Sequence, residues 1–422
     1  MSHLTHSVDT PPIASNSTTQ ILIIGAGFGG LAAALELAKS SQYSNSLIEV
    51  SIIDKNNYQL FTPDLYEIAS AAHEIHNEEE LKNAVCLDVK LALAQQKIRF
   101  IQATVQDIQT KKQTVITDNG EYTYDYLLIA LGSEPFYFGI PGMQEHALPF
   151  KWIQHASQIR EDVQTSVQEN KNPHIVVCGG GPAGVELAAE LMHAYKKELA
   201  NHSFSLSLVE GRDSLLSMIG KRSQRIAARA LEKLGVSVRT GFLIAKAEER
   251  NGKKVITNDK GEEIEADVLI WAGGVTATSV LKQSDLELTQ RGQIAVQTTL
   301  QTKQDERVFA VGDVIECEIA PKEYCPQTAH EAIQQGPVAA KNIIAHMNDT
   351  QLQQHKKIMS GLIITLGGKK GLVELSNGIV LSGFIGWVTR KAIDFRHFRS
   401  VLPFMQACSI WYKGLKTMTK ND

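Results

Sequence analysis

The chain has 422 residues, 43% of them hydrophobic, with 42 Lys or Arg against 46 Asp or Glu and a formal net charge of −4. This length predicts two or three domains with ample core, and the composition is ordinary for a soluble α/β protein. A slightly acidic balance argues against nucleic acid as a partner. Five cysteines without a CxxC argue against a disulfide framework and against a zinc site, so no metal site is expected.

Residues 1–19 carry neither a basic n-region nor an apolar h-region, and read as a disordered polar leader rather than a secretion signal. The stretch ILIIGAGFGG, Ile21 to Gly30, then combines a β-branched strand, a glycine turn and the start of a helix, LAAALELAK. Gly25 permits the tight turn. Gly27 lets a pyrophosphate approach the backbone, and Gly30 lets helix and strand pack, with the helix N-terminus facing the phosphates. A second strand, Leu47 to Ile53, ends at Asp54, where a carboxylate accepts hydrogen bonds from a ribose. NNYQLFTPDLYEIAS follows, with Phe61 and Pro63 expected in a loop, and residues 73–97 read as helical or mobile. Short strands come next, and the last, Tyr126 to Ala130, ends at Gly132 and returns the chain to the first sheet. The segment Trp152 to Glu169 reads as a helix.

IVVCGGGPAGVELAAEL repeats the pattern with Gly179, Gly181 and Gly184, and Gly179 lies 154 residues after Gly25. A strand from Leu206 ends at Glu210, a second ribose acid. Two such acids favour two unphosphorylated riboses, while Arg212 leaves a 2′-phosphate open. The repeat continues with a helix at 221–234, a strand at Val236, turns at Asn251-Gly252 and Lys260-Gly261, and DVLIWAGG, which matches YDYLLIALG. VFAVGDV ends at Gly312-Asp313, and an Asp there suits a polyol such as ribitol. A helix from Thr328, AHEAIQQGPVAAKNIIAH, points its N-terminus where a ring becomes anionic on reduction. The tail from 381 holds seven Lys or Arg against Asp394 and Asp422, a local charge of +5 that leaves −9 on the remainder. Within it, Phe384, Ile385, Trp387, Val388, Ile393, Phe395, Phe398, Val401 and Phe404 are spaced to share one helical face, with a basic face opposite. That pattern predicts a helix lying in an anionic membrane interface, the alternatives being core packing or a dimer contact. No uncharged apolar run approaches the length of a spanning helix.

Taken together, the motifs resemble the two-dinucleotide-binding-domain flavoproteins, and among these the type II NADH:quinone oxidoreductases. The resemblance runs from about Gln20 to the tail. It rests on IIGAGFGGL, IIDKNNYQLFTPDLYEIA, YDYLLIALGSEPFYFGIPG, VVCGGGPAGVELAAEL, LIWAGGV, VFAVGDV, PQTAHEAIQQGPVAAKNI and the Trp-containing basic tail. It implies an α/β fold with two Rossmann-like domains and a C-terminal membrane-associating region. The implied boundaries are 20–150 and 286–350 for FAD, 151–285 for NAD(H), and 351–422 for membrane association and dimerisation. It also implies FAD on Gly25, Gly27, Phe28, Gly30, Asp54, Lys55, Ala130, Gly132, Gly312, Asp313 and Ala329, and NAD(H) on Gly179, Gly181, Pro182, Gly184, Glu210 and Gly273. Glu186, His330, Gln334 and Lys370 are the implied catalytic residues. The implied substrate is a quinone, and the implied setting is a homodimer on the cytoplasmic face of the cell membrane. Two residues depart from the family pattern: His330 stands where a glutamine is usual, and Asp64 where an apolar residue is usual. Sulfide:quinone oxidoreductase, a soluble reductase of an electron-carrier protein and a non-enzymatic flavoprotein are the rivals. The first needs a cysteine pair at the flavin, which only Cys325 with Cys317 or Cys178 would supply.

Overall fold

The computed structural model describes residues 18–71, 77–198, 204–356 and 361–421; the first 17 residues of the expected leader lie outside them. Two five-stranded sheets organise the chain. In the first, the spatial order is Val308–Ala310, Tyr126–Ile129, Thr19–Ile24, Ile48–Asp54 and Arg99–Gln102. The three central strands run parallel, with Ile23 beside both Ile52 and Leu128. In the second, the order is Leu148–Pro149, Val268–Trp271, His174–Cys178, Ser205–Glu210 and Ser237–Thr240. The glycine-loop strand and its acid-ended neighbour hold the same places in both sheets. Tyr126–Ile129 and Val268–Trp271 also correspond, as their sequences predict. Ile21, Ile23, Ile24, Ile52 and Ile53 are fully buried. Parallel strands covered on both faces read as continuous apolar runs for this reason.

Each glycine loop opens a helix that covers its sheet, Phe28–Leu37 in the first unit and Pro182–Glu198 in the second. The helix Ala329–Met347 packs on Phe28–Leu37. Its Gly336 admits this contact, because a Cβ there would stand 2.4 Å from the Gly29 carbonyl oxygen. The turns at Asn251-Gly252 and Lys260-Gly261 join three antiparallel strands, Ile244–Arg250, Lys253–Asn258 and Glu263–Ala266.

Two expectations change. The loop around Pro63 is a short 3-10 turn, Thr62–Asp64, and it leads into a buried helix, Leu65–Ser70. Pro63 suits the first turn of a helix, where its missing N–H costs nothing. The C-terminal part is a three-stranded antiparallel sheet (Leu362–Thr365, Gly371–Glu374, Val380–Gly383) followed by two helices, Phe384–Val401 and Phe404–Asn421, separated at Pro403. The first of these helices is not basic outside and apolar inside. Arg390 and Lys391 are each 4% exposed, whereas Phe384 and Ile385 are 62% and 64% exposed. Phe398 and Val401, from the same expected apolar face, are buried. The charges point inward because buried carboxylates wait for them there.

Candidate active site

Both glycine loops are built alike. Gly25 and Gly179 have φ of +101° and +120°, a region open to glycine. A Cβ on Gly30 would fall 1.9 Å from the Gly25 carbonyl oxygen, and one on Gly184 the same 1.9 Å from that of Gly179. Gly27 and Gly181, by contrast, face open space. The helix amides beyond these glycines are therefore reachable by a bulky anion. The two acids behave alike too. Asp54 accepts the N–H groups of Ala26 (2.7 Å) and Asn56 (2.8 Å). Glu210 accepts those of Gly180 (2.6 Å) and Arg212 (2.8 Å). Each carboxylate thus ties its glycine loop to the end of the neighbouring strand. Burial raises the pKa of Asp54 from its ordinary value, against these N–H donors and Lys55. Arg212 bonds the Ser217 hydroxyl at 2.5 Å. Pro182 opens the second helix, and Gly273 lies over the Trp271 ring.

The first loop faces a cleft lined by Gly27, Phe28, Asp54, Ala130, Gly132, Lys151, Trp152, Gly312, Asp313 and Ala329 among others. Lys55, at the lip, lies 4.9 Å over the Trp152 ring. Asp313 accepts from the Ser133 hydroxyl at 2.6 Å, and Lys151 reaches both, at 2.7 Å from Ser133 and 3.4 Å from Asp313. The Gly312 N–H donates to Gln335 at 2.7 Å. These residues fit an FAD: a phosphate-sized opening at Gly27, a ribose acid at Asp54, and a carboxylate at Asp313 beside Ser133 and Lys151 for a polyol. Ser133, Lys151, Trp152 and Gln335 escaped the sequence reading, since no short motif marks them. Gln334, which it selected, is half-buried one position away from the glutamine that holds Gly312.

The helix Ala329–Met347 starts at the cleft, capped by the Thr328 hydroxyl. His330 sits in its first turn. Its Nε2 is buried without a hydrogen-bond partner among the described residues, and burial lowers its pKa, so the ring is neutral at pH 7. The helix Phe384–Val401 meets the cleft through His397. That ring stacks on Phe61 (centroids 5.3 Å apart) and lies 5.1 Å from Phe28, while its Nε2 is 3.2 Å from the Gln59 amide oxygen. Burial pushes the pKa of His397 down to about 4. Nothing in the sequence singled out His397.

Glu186 is buried in the helix Pro182–Glu198, and Thr365 and Arg390 of the C-terminal part bond its carboxylate. It accepts the Thr365 N–H at 3.1 Å and Arg390 Nη1 at 3.2 Å. Arg390 also reaches Asp64 (3.1 Å), Asp394 (3.0 Å) and the Pro63 carbonyl (2.6 Å). Lys391 lies 3.6 Å from Asp64 and from Asp394. Burial raises Glu186 to about 7, outweighing the Arg390 charge. Asp64, the residue out of family pattern, is thus explained by Arg390. Lys370 stands exposed in the turn between the strands Leu362–Thr365 and Gly371–Glu374, and the structure does not bring it to the cleft lining.

The cysteines require a correction. Cys325 lies beside Cys317, Glu331 and His355, so the expectation that no cysteine joins a metal-like cluster fails. Their spacing hid this, because Cys317 and Cys325 are eight residues apart in a hairpin and His355 lies far downstream.

The fold and both loops define a pyridine nucleotide-disulphide oxidoreductase. The model of that family matches residues 19–336, and the chain belongs to it. Within it, the chain resembles the type II NADH:quinone oxidoreductase of Staphylococcus haemolyticus, with 28% identity over 392 residues covering 89% of this chain and 94% of the relative. The enzyme of that name from Staphylococcus aureus is 27% identical over 391 residues, at the same coverage. Among solved structures, NDH2 from Plasmodium falciparum in complex with NADH superposes with a TM-score of 0.80 at 18% identity, covering 95% of this chain and 98% of that one. The sulfide:quinone oxidoreductase of Aquifex aeolicus shares the fold at a TM-score of 0.74.

Proposed function

We infer that the protein is a flavin-dependent NADH:quinone oxidoreductase that moves electrons without pumping protons. The observation that carries this reading is the pair of matching glycine loops, each with its own acid, the first of them facing a cleft that Asp313 also lines. Gly25, Gly27, Gly30, Asp54 and Asp313 hold FAD, with Phe28, Lys55, Ala130, Gly132, Gly312 and Ala329 around it. Gly179, Gly181, Pro182, Gly184, Glu210 and Gly273 hold NADH. Bound FAD supplies the two-electron carrier, and the protein supplies orientation and electrostatics. His330, neutral and unpaired at the cleft, offers a hydrogen bond or a proton to a quinone oxygen. Glu186 acts one step removed, through Arg390. The parts 20–150 and 286–350 form the flavin domain around a nicotinamide domain at 151–285.

The quinone reaches the cleft from a membrane. Phe384, Ile385, Val388, Ile393, Phe404, Met405 and Tyr412 are exposed on the C-terminal helices, with Arg396, Arg399, Lys413 and Lys416 exposed among them. An apolar surface with interspersed cations suits an anionic bilayer interface, here the cytoplasmic face. His397, Phe61 and Phe28 connect the same helix to the cleft. Among the described residues no helix is long and apolar enough to cross a membrane. A homodimer through the C-terminal part is compatible with this arrangement. Steady-state assays test the reading: NADH consumption should require a quinone and proceed without sulfide. Sulfide consumption that depends on Cys325 would favour the rival enzyme instead.

A further inference from the structure

Among the described residues, one cluster of metal-ligating side chains takes no part in the proposed reaction. Cys317 and Cys325 close the mouth of a hairpin, with the Cys325 N–H donating to the Cys317 carbonyl at 2.9 Å. The Cys317 thiol donates to the Gln297 carbonyl at 3.8 Å. Glu331 arrives from the first turn of the helix Ala329–Met347. His355 arrives from the segment after that helix, which is fixed by its own N–H on the Thr298 carbonyl at 2.7 Å. The Glu331 and His355 side chains are buried, with Nε2 and Oε1 2.5 Å apart. One ligand atom each from Cys325, Glu331 and His355 lies within 4.8 Å of the others, and Cys317 adjoins Cys325.

We propose that Cys317, Cys325, Glu331 and His355 form a structural site for a thiophilic divalent cation, Zn²⁺ above all. Two sulfurs, one imidazole nitrogen and one carboxylate oxygen make a zinc donor set, whereas Mg²⁺ and Ca²⁺ require mostly oxygen. Tetrahedral zinc with bonds of about 2.0–2.3 Å puts its ligand atoms roughly 3.3–3.8 Å apart, so the Cys325 sulfur closes on Glu331 and His355 by up to about 1.5 Å, the His355–Glu331 pair opens by about 1 Å, and the Cys317 thiol turns from the Gln297 carbonyl to join them. The two thiols lose their protons to become ligands, and no electrons move. Four protein ligands leave no open position for a substrate, which makes the site structural. It pins three separate segments together directly behind Thr328 and His330, at the entrance to the cleft. The inference goes beyond the proposed reaction and holds whatever the electron acceptor is.

The test uses the full-length protein with FAD bound, purified without a polyhistidine tag or chelator. Metal content is measured against flavin after dialysis, and zinc affinity is measured under reducing conditions against a chromogenic chelator. The proposal expects about one zinc per flavin. Co²⁺ in its place should give a thiolate-to-metal band in the near ultraviolet and the visible bands of a tetrahedral ion. Cys325→Ser and His355→Gln should each weaken zinc binding by more than the ~10–100-fold typical of changes outside the ligand sphere, and Cys408→Ser should leave it unchanged. If those variants do not fold, the Co²⁺ spectrum of the unaltered protein decides. Zinc well below one per flavin, with no thiolate–cobalt band, overturns the proposal. So does a Cys317–Cys325 disulfide in protein that takes up no zinc after reduction, which would make the pair a redox dithiol instead.

Discussion

Replacing Arg390 by Met removes a charge while nearly keeping the volume, and it tests the inward-facing charge cluster directly. In the native protein, three buried carboxylates, Asp64, Glu186 and Asp394, share Arg390, and two of them, Asp64 and Asp394, also face Lys391. Arg390→Met leaves Asp64 and Asp394 to Lys391, takes the cation from Glu186, and removes a donor from the Pro63 carbonyl. Removing one partner of a buried ion pair costs roughly 3–5 kcal/mol. At ~2–4 °C per kcal/mol for a cooperative unit of domain size, Tm should fall by roughly 10 °C, read by flavin release and circular dichroism together. The loss should depend on pH. Burial already raises Glu186 to about 7 and Asp394 to about 6, and without Arg390 both rise further. A carboxyl group with a raised folded-state pKa binds its proton more tightly in the folded state. Its stability penalty is complete above the folded value and fades as pH falls toward the unfolded value. The deficit of Arg390→Met should therefore be large at about pH 8 and shrink at about pH 5.5. A Tm within ~2 °C of the unaltered protein, or an equal deficit at both pH values, refutes this reasoning.

Other predictions follow from the same geometry. Gly30→Ala drives a Cβ into the Gly25 carbonyl and should abolish FAD retention. Gly184→Ala, with the same clash in the second loop, should keep FAD but lose reduction by NADH, and absorbance spectra before and after NADH separate the two. His397 is held neutral by burial, with its pKa near 4 against an ordinary 6.5. Its contribution to stability is therefore present above 6.5 and is lost as pH falls from there through about 4. His397→Phe should flatten acid unfolding over that window, as followed by fluorescence. Ile385→Glu should reduce co-sedimentation with anionic vesicles at least ~10-fold while leaving activity with a short-chain soluble quinone intact. Unchanged sedimentation, with a loss of dimer instead, would reassign this face to a second copy of the chain.

Much of the fold was legible because its signals are local. ILIIGAGFGG and IVVCGGGPAGVEL mark strand, turn and helix within one window each, and Asp54 and Glu210 sit at strand ends that apolar runs define. The C-terminal helix was legible as a helix, but its orientation was not. Periodicity gave two faces, and the face turned inward was decided by Asp64 and Glu186, which lie more than two hundred residues away in the chain. The same limit applies to Lys151 on Asp313, His397 on Phe61 and the Cys325–His355 cluster. Each joins residues whose sequence neighbourhoods carry no motif, so only the fold brings them together. Gln335, which holds the Gly312 N–H, is likewise set by the phase of its helix, where one residue turns a side chain by about 100°.

The most direct test separates the two half-reactions without oxygen. Mixing the FAD-loaded protein with NADH should abolish the flavin's visible absorbance, and adding a short-chain quinone should restore it, both faster than steady-state turnover. Loss of absorbance that no quinone reverses, or loss produced by sulfide and not by NADH, would contradict the account.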